Sequence, residues 1–241
     1  MIVRSFEEVW EIYFHKAHAL LAMDIGLSID HRYWPHRKYL AAGLESIGEH
    51  DNGQPRWNGK DNLTEAGAPL DYRARKQVDL RQAMSVINSA QYKSSFMAIM
   101  VSLHCDRLYN ESDESAVLDF LAAQSRLREQ YLRHLDLDAE TVDQCYEFLR
   151  FCDDLSLALC QDEMSVQQEK DLKPIIGERK IRCGVREDGS FMLNPWLFYE
   201  DELIFPIEYY RTTKKVFADD EELKQDIVLE KPLRKMFVFR K

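Results

Sequence analysis

The spacing of hydrophobic residues changes once along the chain, near Pro174. Before that position apolar residues recur every three or four places, which is typical of helices that bury one face. Ser5 and Glu8 have the spacing of a capping box, so we predict a first helix that begins there and ends near Gly26. Further helices are predicted over the segment containing Leu40, Leu44 and Ile47 and over 73–91, 92–109, 113–134 and 139–163. The helix over 92–109 is apolar on nearly every side, so we expect it at the centre of the fold.

After Pro174 apolar and polar residues alternate, which is typical of strands with one buried face. Strands are predicted in chain order over 181–185, 190–193, 203–211 and 235–240. Asp188-Gly189 is a strong turn signal, so the first two strands should form a hairpin. Pro206 favours a sheet edge for the third strand, because proline cannot donate a backbone hydrogen bond. A short N-terminal strand over 2–4 can join the same sheet.

These elements predict one domain over residues 1–241, with a helical core over 1–175 and a β-rich C-terminal extension over 176–241 packed on it. The extension has too few apolar residues on one face to bury a core alone. The expected fold is therefore mainly α, with a small antiparallel β-region formed by the C-terminal segment and by the N-terminal strand if it joins. Residues 54–72 are rich in Gly, Pro, Asn and Asp and are expected to form a long ordered loop.

The composition of the chain excludes some classes of binding partner and indicates a cellular compartment. The net charge of −10 argues against binding to nucleic acid or to an anionic membrane, since both need a basic surface. The longest nearly uncharged run, 96–105, is too short to span a bilayer, and the N-terminus lacks the pattern of a signal peptide. Five cysteines without paired spacing indicate no disulfide framework. We therefore expect a cytoplasmic protein that binds neither nucleic acid nor a membrane.

The dipeptide His50-Asp51 is the first candidate for chemistry, because the sequence has no Walker loop, G-x-S-x-G or H-E-x-x-H motif. Asp51 lies four residues after Ile47 and continues an apolar helix stripe. A buried carboxylate needs a cation, a metal ion or several hydrogen-bond donors, since burial of an unpaired charge costs several kcal/mol. The alternative is that the helix ends before Gly53 and Asp51 caps a turn.

Three histidines lie on or near predicted helix faces. His104 lies four residues after Met100 and four before Leu108, which places it on an apolar face. The alternative for His104 is a hydrogen-bonded core residue without a ligand. His18 lies at the edge of the apolar face of the first helix, whereas His15 is predicted to face solvent.

The last predicted helix of the α segment carries two adjacent acids. Helical residues step by about 100° each, so the stripe of Phe148, Cys152 and Leu155 defines the buried direction. Asp153 borders that direction, whereas Asp154 points away from it. The helix phase therefore favours Asp153 as the inward acid, and the alternative is that both acids are exposed.

Taken together, these residues follow the order His, His-Asp, Asp, which is the ligand order of the HD superfamily of metal proteins. Imidazole and carboxylate ligands suit divalent ions such as Mn, Fe, Mg or Zn, and at pH 7 both groups are available for binding. A carboxylate can also bridge two ions. We therefore predict one or two divalent metal ions, held by His18, His50, Asp51 and Asp153.

The chain also resembles the bacterial domain-of-unknown-function 3891 family over nearly its whole length. The resemblance rests on the segments 1–4, 18–22, 41–42, 50–53 with Trp57, 67–69, 101–104, 153–157 with Cys160, and 194–198. Gln54 and Leu197 depart from the family pattern, where an aromatic residue and a proline are expected. The resemblance implies an HD-like helical bundle but no established activity.

The leading functional prediction is a metal-dependent hydrolase of HD type that acts on a small, phosphate-ester-like anion. Asp51 and His104 are the predicted catalytic residues, His104 as a ligand of a second ion or as a hydrogen-bond donor to the substrate. Arg37 and Lys38, in a basic loop that begins near Arg32, are predicted to bind the anionic group. The alternative for this loop is a solvated surface.

Two other functions stay open at this point. An HD-type di-iron oxygenase would use the same ligand order for oxygen chemistry. A non-catalytic sensor or scaffold would keep the residues to bind a metal or ligand without turnover. Because the ligand types are common to all three functions, the identity of the metal would separate the two enzymes, and activity screening with each metal found would separate an enzyme from a sensor or scaffold.

Overall fold

The structure, a computed structural model, describes residues 1–53, 57–75, 78–173, 175 and 180–241. Within these ranges the helices are α1 His15–Ser28, α2 Leu40–Glu49, α3 Leu80–Gln91, α4 Ser95–Tyr109, α5 Ser115–Leu135, α6 Ala139–Gln161 and α7 Asp220–Asp226. The strands of the described residues are β1 Ile2–Phe6, β2 Val9–Tyr13, β3 Lys170–Leu172, β4 Ile181–Val185, β5 Phe191–Asn194, β6 Glu202–Arg211 and β7 Leu233–Arg240.

The prediction of a mainly α, HD-like helical bundle with a small antiparallel β-region is wrong. The protein has a mixed α/β fold that is 48% helical and 20% strand, with a curled seven-stranded sheet in its described residues. The strand order is β1-β2-β6-β7-β5-β4-β3, and all neighbours are antiparallel except β5 and β7. Strands from both ends of the sequence form this one sheet, so it is a full layer of the fold and the N-terminal strand does belong to it.

The N-terminal segment accounts for much of this difference. Residues predicted as the first helix form the β1–β2 hairpin, and α1 begins only at His15. Ser5 lies opposite Trp10 in the hairpin, and Glu7 adopts a positive φ of 44° in the turn. The β-branched and aromatic residues of this segment favour a strand, so the capping-box spacing of Ser5 and Glu8 does not mark a helix start.

The later helices match the sequence pattern more closely. Helices predicted over 92–109, 113–134 and 139–163 are confirmed as α4, α5 and α6 with shifts of a few residues at their ends. α4 is buried over most of its length, as its apolar character predicted. α3 begins later than predicted, because the Asp79 carboxylate caps it by accepting the backbone N–H groups of Arg81 and Gln82.

β6 lies inside the sheet, although Pro206 favoured an edge. β2 pairs with β6 only at Tyr210 and Arg211, whereas β7 pairs along the length of β6 that includes Pro206. In the described residues Pro206 therefore has a neighbouring strand on one side only, which is the local condition that proline requires. The predicted boundary between core and extension, at 175/176, falls beside residues outside the described ranges.

One buried apolar cluster joins the sheet to the helices. α6 contributes Phe151 and Leu155, and the sheet contributes Tyr13, Phe205 and Phe239. α1 packs against α2, α6 and β6. It begins at His15, directly after β2 ends at Tyr13. None of the helices in the described ranges is long and apolar enough to cross a membrane.

Candidate metal centre

Four parts of the fold bring six ionisable side chains together, and we call them the His/Asp cluster. They are His15 and His18 from α1, His50 and Asp51 from the end of α2 and the turn after it, His104 from α4 and Asp153 from α6. The four predicted metal ligands are linked by contacts of the two histidines with the two carboxylates. His18 Nε2 lies 2.9 Å from Asp51 Oδ2, and His50 Nε2 lies 3.3 Å from Asp153 Oδ1.

The cluster is buried in the protein. His18 is fully buried, and His50, His104 and Asp153 are each less than 5% exposed. Asp51 is half-buried, in a turn directly after α2. Two carboxylates in such surroundings need cationic or metallic partners, because the desolvation of a charge is costly.

The orientation of His50 leaves one ring nitrogen free for a cation. Its Nδ1–H donates to the carbonyl oxygen of Ile47 at 2.5 Å, so Nε2 carries the lone pair. Nε2 is buried and has no hydrogen-bond partner among the described residues, yet it faces the Asp153 carboxylate. Metal-binding histidines typically donate their second N–H to a backbone carbonyl in this way.

The same arrangement holds for His18. The Ser156 hydroxyl donates to the carbonyl oxygen of Asp153 at 2.9 Å, so its oxygen accepts the Nδ1–H of His18, also at 2.9 Å. The His18 Nε2 lone pair then faces Asp51 Oδ2. A lone pair and a carboxylate oxygen repel each other at 2.9 Å unless a proton or a metal ion lies between them. The donors therefore fit a divalent metal ion with N and O ligands.

Without a metal ion, protons must take this role. Burial lowers the pKa of His50, but the charges of Asp51 and Asp153 outweigh it and raise the pKa to about 9. Burial likewise raises the pKa of Asp153, but the neighbouring His50 holds it well below its usual range. His104 behaves differently, since burial and the charge of His50 lower its pKa to about 4. His104 is therefore a neutral imidazole near pH 7.

The two adjacent acids of α6 take different positions. The Asp153 side chain is 6% exposed and faces the histidines, whereas the Asp154 side chain is 20% exposed. Asp154 Oδ1 accepts a hydrogen bond from the Arg107 guanidinium at 3.0 Å. Arg107 also lies 3.5 Å from Asp153 Oδ2. One oxygen of the Asp153 carboxylate therefore faces the histidines, and the other lies near the Arg107 guanidinium.

The prediction that His15 faces solvent is wrong. The residue is 7% exposed, and its Nδ1 lies 3.0 Å from Asp51 Oδ2. The hairpin causes this difference, because α1 starts at His15 and not at Ser5. The sequence did hold a usable signal, since His15 and His18 are three residues apart and share a helix face.

Three sets of residues in the described chain have donor atoms within 4.8 Å of one another: His15, His18 and Asp51; His18, His50 and Asp153; His50, Asp51 and His104. Buried His/Asp groups of this protein could therefore hold a metal ion. His104 additionally lies near Tyr146, whose hydroxyl is 3.5 Å from its Nδ1.

A cavity of about 250 Å³ gives access to the cluster. His15, Asp51, His104 and Asp153 line it together with the outer residues Met1, Tyr72, Arg75, Asp79, Gln82, Leu108, Tyr109 and Leu157. Arg37 and Lys38 are exposed and do not line this cavity, and Arg32 pairs with Asp30 at the surface. The basic side chain that the structure does bring to the cavity is Arg75.

Ser156→Ala tests how the His18 ring is held. Loss of the hydroxyl removes the acceptor for Nδ1–H, so we expect metal affinity to fall by about 10- to 100-fold, as is usual for outer-shell partners of a ligand. Isothermal titration of the metal-free protein with Mn²⁺ measures this. Ser125→Ala, at an exposed position of α5, is the matched control. Equal affinities for the two variants would contradict the role of Ser156.

The fold and the cluster define a class: a mixed α/β protein with a buried histidine–aspartate centre under a small cavity. A family model described as "Protein of unknown function (DUF3891)" matches residues 1–214, and the chain belongs to this family. The resemblance noted from the sequence is thereby confirmed, and the match contains all six cluster residues. Of the two departures, Leu197 is buried and Gln54 lies outside the described residues. No curated protein and no solved structure matches the chain.

Proposed function

We propose that this protein is a metal-dependent hydrolase that acts on a small anionic substrate of the phosphate-ester type. The observation that carries the proposal is the pair of buried Nε2 lone pairs, on His18 and His50, that face two carboxylates beside a cavity. An imidazole lone pair and a carboxylate oxygen repel each other, but both can bind the same divalent ion.

His18, His50, Asp51 and Asp153 would supply the metal ligands, and His18, His50 and Asp153 form one set with donor atoms within 4.8 Å of one another. A bound divalent ion supplies Lewis-acid catalysis and lowers the pKa of water. The chain itself fixes the ring orientations through the Ile47 carbonyl and the Ser156 hydroxyl, so the ligands are preorganised.

Other groups would bind and orient the substrate. His104 is neutral near pH 7 and lines the cavity, so it can donate a hydrogen bond to the substrate or accept one from it. Arg75, on the cavity wall, can neutralise an anionic group. The cavity lies below the roughly 300–1,000 Å³ of pockets that take drug-sized ligands, so its size favours a small substrate.

The test is hydrolysis of a panel of small phosphate monoesters and diesters by protein reconstituted separately with Mn²⁺, Fe²⁺, Mg²⁺ and Zn²⁺. We expect phosphate or alcohol release that depends on the metal and falls at least about 100-fold in Asp51→Asn, because one substitution removes a ligand and a charge. His134→Gln, at an exposed position of α5, is the control.

Two outcomes would contradict the proposal and indicate another function. Metal-dependent consumption of oxygen, without hydrolysis, would indicate the oxygenase function instead. Metal bound with full occupancy but no turnover on any substrate would indicate a sensor or scaffold.

A further inference from the structure

A second groove meets the cavity beside the His/Asp cluster. It has a volume of about 580 Å³, and Tyr72 and Leu157 line both spaces, so the two join at these residues. The groove lies within the roughly 300–1,000 Å³ of pockets that take drug-sized ligands, whereas the cavity of about 250 Å³ has room for a small group only. A phosphate ester with its phosphate in the cavity can therefore place its alcohol part in the groove.

Tyr72 is held at this junction by three contacts. Its backbone N–H donates to the carbonyl oxygen of Met1 at 2.9 Å, and its ring stands edge-on to His15 with ring centres 5.1 Å apart. Its hydroxyl oxygen lies 3.1 Å from Nε2 of Gln161, which lines the groove. The Tyr72 ring therefore faces the cluster, and its hydroxyl lies on the side of the groove.

The hydrogen bonds of Gln161 fix the direction of the Tyr72 O–H group. Arg73 Nη1 donates to Gln161 Oε1 at 3.1 Å, and Arg73 is itself held by Asp71, which accepts from its Nε at 2.6 Å. A guanidinium group can only donate, so the amide oxygen of Gln161 faces Arg73 and its NH₂ group faces Tyr72. The NH₂ group can also only donate, so the Tyr72 oxygen accepts and its own hydrogen points elsewhere.

This hydrogen is available to a ligand at the junction. Within the described residues, the side-chain hydrogen bond of the Tyr72 hydroxyl is the one with Gln161, in which it accepts. A tyrosine has an ordinary pKa of about 10, so the hydroxyl carries its hydrogen at pH 7. Tyr72 can therefore donate to a substrate oxygen where the cavity opens into the groove.

We propose that Tyr72 is a catalytic residue that donates its hydroxyl hydrogen to the ester oxygen of the substrate, whose alcohol part lies in the groove. The proposal rests on the proposed hydrolase function and adds to it a general acid and the place of the leaving group.

The proton balance of the reaction closes with Tyr72 in this role. A water oxygen forms a bond to phosphorus while the bond between phosphorus and the ester oxygen breaks. The electron pair of the broken bond stays on the ester oxygen, which takes the Tyr72 hydrogen and leaves as an alcohol. The tyrosinate then regains the proton that the attacking water loses, so one water is consumed and one alcohol and one phosphate are formed.

A general acid matters most for a strongly basic leaving group. The alkoxide of benzyl phosphate needs a proton as it leaves, whereas the para-nitrophenolate of para-nitrophenyl phosphate is stable as an anion. Loss of the acid should therefore slow hydrolysis of the first ester much more than hydrolysis of the second.

The experiment compares wild type and Tyr72→Phe, both loaded with Mn²⁺, on these two esters of similar size. Phenylalanine keeps the ring beside His15 and removes the hydroxyl alone. We expect kcat/KM to fall by about 100-fold or more for benzyl phosphate and by less than about threefold for para-nitrophenyl phosphate. Manganese content should equal that of the wild type. Tyr92→Phe, at a residue that is 94% exposed, is the matched control and should behave as the wild type.

The other outcomes separate this role from the proposed function. Equal losses for the two esters in Tyr72→Phe, or no loss for benzyl phosphate, would overturn the role of Tyr72 and leave the hydrolase intact. Hydrolysis of smaller esters by the wild type, but of neither aromatic ester, would overturn the assignment of the groove. No hydrolysis of any phosphate ester by the wild type would overturn the proposed function as well.

A second variant covers the case in which Tyr72→Phe does not fold. Gln161→Leu removes the group that directs the Tyr72 hydrogen, so it should slow benzyl phosphate more than para-nitrophenyl phosphate. Equal effects on the two esters would overturn the role of Tyr72.

Discussion

Asp153→Asn is expected to remove most of the bound metal, whereas Asp154→Asn, one residue further along α6, should leave the metal content near that of the wild type. Asp153 Oδ1 faces two imidazole lone pairs, at 3.3 Å from His50 and 3.9 Å from His18. An amide in its place loses the negative charge that a divalent ion needs in a buried site. We expect occupancy to fall at least about tenfold, which is typical of the loss of a ligand or of its orienting partner.

Elemental analysis of untagged protein, before and after reconstitution, measures this difference. The two substitutions change the same chemical group on neighbouring residues, so each controls for the other. Asp154 contacts Arg107 and no histidine of the cluster. Equal losses in the two variants, or a loss in Asp154→Asn alone, would show that Asp153 is not the ligand.

Removal of the metal is expected to lower the thermal stability substantially. An ion that binds only the folded state stabilises it by about 4 kcal/mol at a concentration a thousand times its Kd. For a chain of this length the midpoint should shift by on the order of 10 °C. Differential scanning calorimetry with and without a chelator measures the shift, and Asp153→Asn should show little response to the chelator. A wild-type midpoint that the chelator leaves unchanged would contradict a metal-linked fold.

The stability of the metal-free protein should also depend on pH in a defined direction. The pKa of His50 is raised in the folded state, from an ordinary 6.5 to about 9, by Asp51 and Asp153. Its charge therefore stabilises the fold fully below about pH 6.5, and this contribution is lost as the pH rises through about 9. The loaded protein has the ion in place of that proton, so the difference between the two forms should widen from pH 6.5 to pH 9.

The helical half of the fold could be predicted from the sequence because its signals are local. α4, α5 and α6 repeat apolar residues at helical spacing, and each begins near a polar residue. The N-terminal hairpin could not be predicted in this way. Its strands pair with each other and, through β2, with β6 about two hundred positions later, so the decisive contacts are not local.

In the candidate site, too, some residues could be predicted from local signals and others could not. The structure brings together His18, His50, Asp51, His104 and Asp153, each of which lay on or beside an apolar helix face in the sequence. His15 was missed because its direction depends on where α1 starts. Arg37 and Lys38 were chosen for local charge, whereas Arg75 reaches the cavity from a turn near α3 that no periodicity links to it.

β7 has a consequence for the order in which the protein can be assembled during synthesis. The strand lies between β6 and β5, and its residues follow the end of the family match at 214. Every residue of the His/Asp cluster precedes β7 in the chain and is therefore synthesised before it. Until then the strands remain in two separate groups, β1-β2-β6 and β5-β4-β3, with exposed edges towards each other. The nascent helices can therefore bring the residues of the His/Asp cluster together before the strand that joins the two halves of the sheet has been made.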